Sequence, residues 1–358
     1  MKEIIEQPGV DSTAGFACPL PISDYKTVLL AHGGGGKLTQ QLIKGMFLHQ
    51  FKSRFLEPLH DGAIVSVNGE RIAFTTDSYV VNPIFFPGGT IGELAVYGTV
   101  NDLAMCGAIP RYLSVAFIIE EGLPIDDLWR VVVSMETAAK RSGVELVTGD
   151  TKVVDRGKGD KIFINTSGIG VIPAGININP GHAAVGDKII VNGSLGLHGM
   201  AIMSVREGLD FETTIRSDTA PLNGLVGAML NVCKDIHVLR DATRGGLASA
   251  LNEIAESSNL GVLIRENDIP IDQSVRAACE ILGLDPLYVA NEGKLVAFVP
   301  GEKAGTVVSA MKSHELGRDA VVIGEVVAGH RGTVVMKSKI GGSRVVDMLS
   351  GEQLPRIC

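Results

Sequence analysis

The sequence predicts a two-domain α/β protein ending in a flexible C-terminal tail. Three observations predict it. At 358 residues the chain is long for one core, and two domains of about 150 residues are the default. Strand and helix patterns alternate in both halves, on either side of a Pro-, Gly- and Asn-rich stretch at 173–187. The last five residues, Leu354, Pro355, Arg356, Ile357 and Cys358, end on a thiol and follow a hinge-like run, Gly341, Gly342 and Ser343. These set the expected boundaries: an N-terminal extension 1–27, a first domain 28–172, a linker 173–187, a second domain 188–340 and a tail 341–358.

Composition narrows the function classes. Hydrophobic residues are 45% and charged residues 20%, a well-buried globular composition. No apolar run approaches the roughly 18–20 residues of a membrane helix, and Glu3 and Glu6 stand where a signal peptide would be basic. The formal net charge of −8, without a Lys/Arg cluster, argues against nucleic acid. Cys18, Cys106, Cys233, Cys279 and Cys358 form no CxxC pair. That speaks against zinc or a disulfide framework and suits a reducing cytoplasm, in which Cys358 stays a free thiol. Cys106, Cys233 and Cys279 stand among apolar residues and read as core fillers.

Residues 1–27 lack periodicity and read as an extended arm. A strand is expected at 27–31. A helix at 38–51 follows, with Leu42, Met46 and Phe47 on its apolar side. A strand at 71–75 leads into Thr76-Asp77-Ser78. A small-residue helix at 91–106 carries Asn101-Asp102, and Gly98, Asp102 and Cys106 share a face four residues apart. A strand at 111–119, a helix at 126–142 bearing Trp129, a strand at 145–148 ending at Gly149-Asp150-Thr151-Lys152, and a strand at 161–172 complete the first domain. After the linker, a strand at 188–191 meets Gly193-Ser194-Leu195-Gly196 and a helix, and a second helix runs over 222–233. Val238 and Leu239 lead to Asp241-Ala242-Thr243-Arg244-Gly245-Gly246 and a helix at 247–257. A helix at 274–282, strands at 287–290 and 295–299 joined by Asn291-Glu292-Gly293, a helix at 301–313 and strands at 320–327 and 332–337 close the second domain.

The run His32-Gly33-Gly34-Gly35-Gly36-Lys37 is not a P-loop, because Ala31 and Leu38 stand where that motif needs Gly and Ser or Thr. Four glycines still let the backbone wrap a phosphate or fold over it, with Lys37 as a cation; a flexible turn explains them equally well. Asp77, Asp102 and Asp150 fall near element ends beside small residues. Hard oxygen ligands of this kind suit Mg²⁺ with a substrate phosphate, although such aspartates also serve as caps and turns. A metal would let an acidic protein hold a polyphosphate. Lys152 can meet phosphate oxygens. Asp241, Arg244 and Gly245 open a helix whose N–H groups make an anion site. Cys358 can enter a narrow pocket tip first, and from Asp347 an extended chain reaches roughly 36 Å at about 3.3 Å per residue. A swinging arm and a frayed terminus both fit the tail taken alone.

The glycine run with Lys37, Thr76-Asp77-Ser78, Asn101-Asp102-Leu103-Ala104, Gly149-Asp150-Thr151-Lys152, Asp241-Ala242-Thr243-Arg244-Gly245-Gly246-Leu247 and Asn291-Glu292-Gly293 together resemble the ATP-binding PurM-like superfamily. The terminal Pro355-Arg356-Ile357-Cys358 narrows the resemblance to the carbamoyl dehydratases of hydrogenase maturation. It covers nearly the whole chain from about residue 28. The resemblance implies a PurM-like fold with mixed sheets and packed helices and a four-stranded sheet in the first domain. It also implies a homodimer paired through the first domains, with ATP near that interface. The nucleotide would meet Gly35, Gly36, Lys37, Asp77, Asn101, Asp102, Asp150, Thr151, Asp241, Arg244 and Gly245. HypF would place a carbamoyl group on Cys358, ATP would drive its dehydration to a thiocyanate, and the cyanide would pass to iron on a HypC–HypD complex.

Chemistry supports the same assignment. Removing water from an amide needs its oxygen made into a leaving group, which phosphoryl transfer from ATP accomplishes. Such a site needs metal carboxylates (Asp77, Asp102, Asp150), a phosphate cation (Lys152) and a base for the N–H protons. Glu292 is the candidate base and His198 a poorer one. Competing readings are a selenophosphate synthetase, which usually carries a reactive Cys or selenocysteine in a glycine-rich segment that here has none, a small-molecule kinase, and a nucleotide-dependent docking module.

Overall fold

A computed structural model describes residues 25–208, 214–351, 354, 357 and 358. The extended-arm reading of the N-terminus falls largely outside these residues, as do Cys18, Pro355 and Arg356.

In chain order the elements are α1 (Lys37–Leu42), continued by a π-turn and α2 (His49–Phe51); β1 (Ala63–Val67), β2 (Glu70–Tyr79), β3 (Phe85–Phe86) and β4 (Gly89–Thr90); α3 (Ile91–Met105), β5 (Ile109–Glu120), α4 (Ile125–Ser142), β6 (Glu145–Val154) and β7 (Ile162–Val171). The second half adds β8 (Lys188–Val191), α5 (Leu197–Arg206), α6 (Asn223–Val232), β9 (Val238–Asp241), α7 (Gly246–Ser258) and β10 (Gly261–Arg265). It ends with α8 (Gln273–Leu282), β11 (Leu295–Val299), α9 (Ala304–Lys312), β12 (Val321–Val327), β13 (Val334–Lys337) and β14 (Ser343–Val346).

The two large sheets are mixed, and β3 and β4 pair as a separate antiparallel ribbon. The first has order β1-β2-β7-β5-β6, antiparallel except for the parallel β5–β6 pair. It has five strands where four were expected, the fifth being the short apolar β1. The second has order β14-β13-β10-β12-β8-β11-β9, with β10 and β13 parallel. Helix α3 is apolar nearly all round and buried along almost its whole length, as a helix between layers must be. It packs on β2 and β7, on α4, and on β9 and α6 of the second half. Thr90 caps its start, accepting from the Glu93 amide at 3.1 Å.

Several elements differ from the sequence reading. Residues 27–31 make no strand; the chain turns at Leu30–Gly33, where the Leu29 amide donates to His32 Nδ1 at 2.9 Å. Residues 287–290 also form a turn, because the Asp285 side chain accepts from the Leu287 amide at 3.0 Å and Pro286 has no N–H for a ladder. β6 runs on to Val154, since its pairing with β5 extends to Glu120. Gly149-Asp150-Thr151-Lys152 therefore lies within an edge strand and not in a loop after one. Gly341 and Gly342 lead straight into β14, so the tail is fixed to the sheet through Val346.

Candidate active site

A cavity of about 370 Å³ lies between the halves. β2 supplies its floor. The period-two alternation of a strand sends Thr75, Asp77 and Tyr79 toward α3. On α3, Gly98 and Asp102 stand one turn apart and face them. Gly98 is required there: a Cβ at this position would sit 2.1 Å from Tyr79 Oη.

Three carboxylates converge. Asp61, just before β1, Asp102 on α3 and Asp241 at the end of β9 each bring one oxygen within 4.8 Å of the others. Thr75 Oγ1 lies 2.8 Å from both Asp102 Oδ2 and the Asp61 carbonyl. Burial, then the charges of Asp241, Asp77 and Asp61, hold the Asp102 carboxyl well above its usual range. Burial and neighbouring Asp61 push Asp241 up to about 8, against the pull of Arg240. Arg240 is the local neutraliser. Its guanidinium binds Asp61 Oδ1 at 2.5 Å and Glu253 Oε2 at 2.7 Å, and Gln40 Nε2 donates to the other Glu253 oxygen at 2.8 Å.

Arg244 stands beside this cluster, with Nη2 3.8 Å from Asp77 Oδ1 and Nη1 3.4 Å from the Gly33 carbonyl. The glycine run makes room for two neighbours. A Cβ on Gly35, at φ +73°, would meet the Arg244 carbonyl at 2.6 Å, and one on Gly36 would meet the Leu349 carbonyl at 2.3 Å. The Lys37 amide donates to Leu349 O at 2.9 Å, and Lys37 Nζ pairs with Asp347 at 2.5 Å. The run thus clasps the base of the tail, and Lys37 turns to the tail instead of the cavity.

Glu292 is 4% exposed. Its amide donates to Asp218 Oδ1 at 3.0 Å, and among the described residues its buried Oε1 has no hydrogen-bond partner. Burial, then Asp241, Asp77 and Asp218, raise its pKa well above the carboxylate range, with Arg244 opposing. Cys358 reaches into the same cavity. Ile357 bridges Val81 in antiparallel fashion, and the Val80 amide donates to Cys358 O at 3.2 Å. Burial pushes the Cys358 thiol up, against Arg244, so at rest it keeps its proton.

The structure therefore brings Asp77, Asp102, Asp241, Arg244, Glu292 and Cys358 to one cavity. It does not bring Asp150, Thr151 or Lys152 there within one chain: they lie exposed on β6, where Asp150 pairs with Lys152 at 3.2 Å. Asn101, one residue from Asp102, faces the other way. Its side chain accepts from the Leu222 amide at 2.7 Å and donates to Ala220 O at 3.1 Å, tying α3 to the second half. Gly245 takes φ +77° at the start of α7, outside the cavity wall. His198 is buried away from the cavity lining. Asp61 and Arg240 were not anticipated. The signal for the first was His60-Asp61-Gly62 ahead of an apolar run; Arg240 is visible only once the fold brings it to Asp61 and to Glu253 on α7.

The chain matches the family models described as AIR synthase related protein, N-terminal domain, over residues 59–172 and AIR synthase related protein, C-terminal domain, over residues 184–337. Those matches define the class: a two-domain AIR synthase related protein. It is 52% identical over 332 residues to the carbamoyl dehydratase HypE of Azotobacter vinelandii, covering 93% of this chain and 97% of that one. A HypE–HypF complex structure superposes with TM-score 0.82 at 49% identity, covering 86% of this chain and 99% of that one. A structure of HypE in complex with ATP gives 0.78 at 50% identity, covering 93% of this chain and all of that one. The chain belongs to the HypE carbamoyl dehydratase family.

Proposed function

We propose that this chain dehydrates a carbamoyl group carried on its own Cys358 to a thiocyanate, using ATP, and that the cyano group goes to the iron of a nickel–iron hydrogenase through a HypC–HypD acceptor. HypF is the proposed carbamoyl donor, in keeping with the HypE–HypF complex. The observation that carries the reading is the seat of Cys358, inside a cavity shared with Glu292, Arg244 and a carboxylate triplet.

The carbamoyl oxygen attacks the γ-phosphorus and ADP departs, leaving an imino phosphate. The C–O bond then breaks, phosphate leaves with the former amide oxygen, and the nitrogen gives up its protons as the nitrile forms. Glu292, in its ionised form, is the proposed acceptor for one of those protons, its raised pKa making the carboxylate a stronger base, and the other proton leaves with the phosphate. Arg244 neutralises charge developing on the transferred oxygen. Mg²⁺ would be held by Asp61, Asp102 and Asp241, with Asp77 at the rim, and would supply positive charge to the phosphates. The residues fit that ion: three hard oxygens converge, and Asp61 Oδ2 is buried without a hydrogen-bond partner among the described residues.

Lys152, Thr151 and Asp150 meet the nucleotide in this proposal from a second copy, in a homodimer. The outer face of the first sheet supports it. Phe74 on β2, Tyr112 and Ile118 on β5 and Ile169 on the β7 strand between them are each at least 39% exposed, an apolar area suited to a partner sheet. A reducing cytoplasm is the proposed setting, because the chemistry needs Cys358 as a thiol; the four described cysteines are free. Among the described residues no helix is long and apolar enough to cross a membrane.

The test is the intact mass after incubation with HypF, carbamoyl phosphate and ATP. One carbamoyl group should add to the chain, convert to one cyano group with further Mg·ATP, and fail to appear in Cys358→Ala. No adduct on Cys358 with demonstrably active HypF removes the residue as carrier.

A further inference from the structure

His198 is fully enclosed in the first turn of α5 and takes no part in the chemistry above. That turn is tied to the loop carrying Glu292: the Gly196 amide donates to Asn291 Oδ1 at 2.7 Å and the Gly199 amide to Ala290 O at 3.0 Å. The His198 ring lies between two groups. Nε2 is 2.5 Å from the Ile357 carbonyl, and Nδ1 is 2.8 Å from Ser217 Oγ. Phe86 packs edge-on at 5.5 Å.

The carbonyl decides the direction of every bond in this chain. A carbonyl oxygen only accepts, so Nε2 carries the proton. In the neutral ring Nδ1 then accepts from the Ser217 hydroxyl. Ser217 Oγ in turn accepts from the Thr219 amide at 3.1 Å and from Thr219 Oγ1 at 2.6 Å. All donors and acceptors are used. Burial keeps the ring neutral by lowering its pKa. Neither nitrogen is free to take a substrate proton, so His198 is not the base.

Its target is the last peptide unit. Ile357 is 4% exposed and bridges Val81, while the Val80 amide holds Cys358 O. Val80 and Val81 belong to the first half and His198 to the second, so the final two residues are gripped from both sides of the cavity. Fixing Ile357 O and Cys358 O fixes the plane of the peptide between them and the direction of the Cys358 side chain. We propose that His198 is a positioning residue, a tail clamp whose Nε2–H holds the Ile357 carbonyl and so seats Cys358 against Glu292 and Arg244. The functional meaning of the clamp rests on Cys358 being the reacting sulfur; the clamp itself does not.

The test reads the tail directly. Iodoacetamide is added to the intact chain without nucleotide or partner, and the alkylation rate at Cys358 is followed by peptide mass mapping. His198→Phe keeps the packing but leaves the Ile357 carbonyl unpaired when seated, so alkylation should rise about tenfold. His198→Gln, whose amide can donate, should restore most of the protection. Ser217→Ala leaves the ring in place but frees its tautomer, and should raise the rate by a smaller factor, which decides the matter if His198→Phe does not fold. A folded His198→Phe, or failing that Ser217→Ala, with wild-type alkylation overturns the clamp. In a second arm, chain already carbamoylated on Cys358 is mixed with Mg·ATP. Single-turnover cyano formation should fall in His198→Phe while loading by HypF is retained. A changed alkylation rate with no carbamoyl adduct in the wild type would keep the clamp and sink the dehydratase reading.

Discussion

Arg240 and Asp61 meet at 2.5 Å, and through that contact one guanidinium neutralises the edge of a cluster in which three carboxylates share a space less than 5 Å across. Arg240 holds Glu253 as well. Arg240→Met leaves both acids buried and unpaired, and should cost about 3–5 kcal/mol of folding stability, read from urea midpoints. Arg240→Met with unchanged stability would mean the cluster is neutralised by other means.

Burial and neighbouring carboxylates hold Asp102 and Asp241 as acids. Asp241, at about 8, has a folded pKa above its ordinary value near 4. The folded state therefore keeps a proton that the unfolded state gives up. The stability from that proton is full below about pH 4 and is lost as pH rises through about 8. Mg²⁺ must displace such protons, so it should raise the thermal midpoint more at pH 8 than at pH 6. Equal shifts at both pH values would place the ion elsewhere.

Gly98→Ala puts a methyl 2.1 Å from Tyr79 Oη and 2.9 Å from its Cζ. The overpacking should cost about 1–3 kcal/mol and push the ring out of place, lowering cyano formation much more than the urea midpoint. Tyr79→Phe in the same chain should recover part of both, and a double-mutant cycle measures how much.

Glu292→Gln keeps the size of the side chain and removes the proton acceptor. Nucleotide affinity by calorimetry should stay within about threefold of wild type, a change well under 1.4 kcal/mol, while cyano formation stops. Full turnover in that variant takes Glu292 out of the mechanism.

What could be read from the sequence was local. Asp77, Asp102, Asp241, Arg244, Glu292 and Cys358 each stand beside small residues at the end of an element or of the chain, and they meet in the fold. Asp150 and Lys152 carry the same local signature, yet β6 pairs with β5 past Gly149 and lays them along an exposed edge. Nothing in residues 145–154 alone distinguishes a loop from a continuing strand; the partner strand decides. Asp61 and Arg240 were hidden for the same reason, since their meaning comes from each other. The glycine run by itself fits a phosphate loop or a turn. Its use as a clasp depends on Leu349, more than 300 residues away in sequence. Most helices followed from periodicity and the mixed sheets from the family resemblance, while the expected strands at 27–31 and 287–290 lost to side-chain-capped turns.

The clasp at Leu349 sets a length. Cys358 is the ninth residue after it, so with Leu349 in place the sulfur is confined to a radius of about 30 Å. A small group attached to that sulfur is present at its own cavity at an effective concentration on the order of millimolar, whatever the amount of protein. The cavity then needs almost no intrinsic affinity for so small a group. Saturation comes from the tether, and the recognition surface that a free substrate of four heavy atoms could never provide is replaced by the polypeptide that carries it.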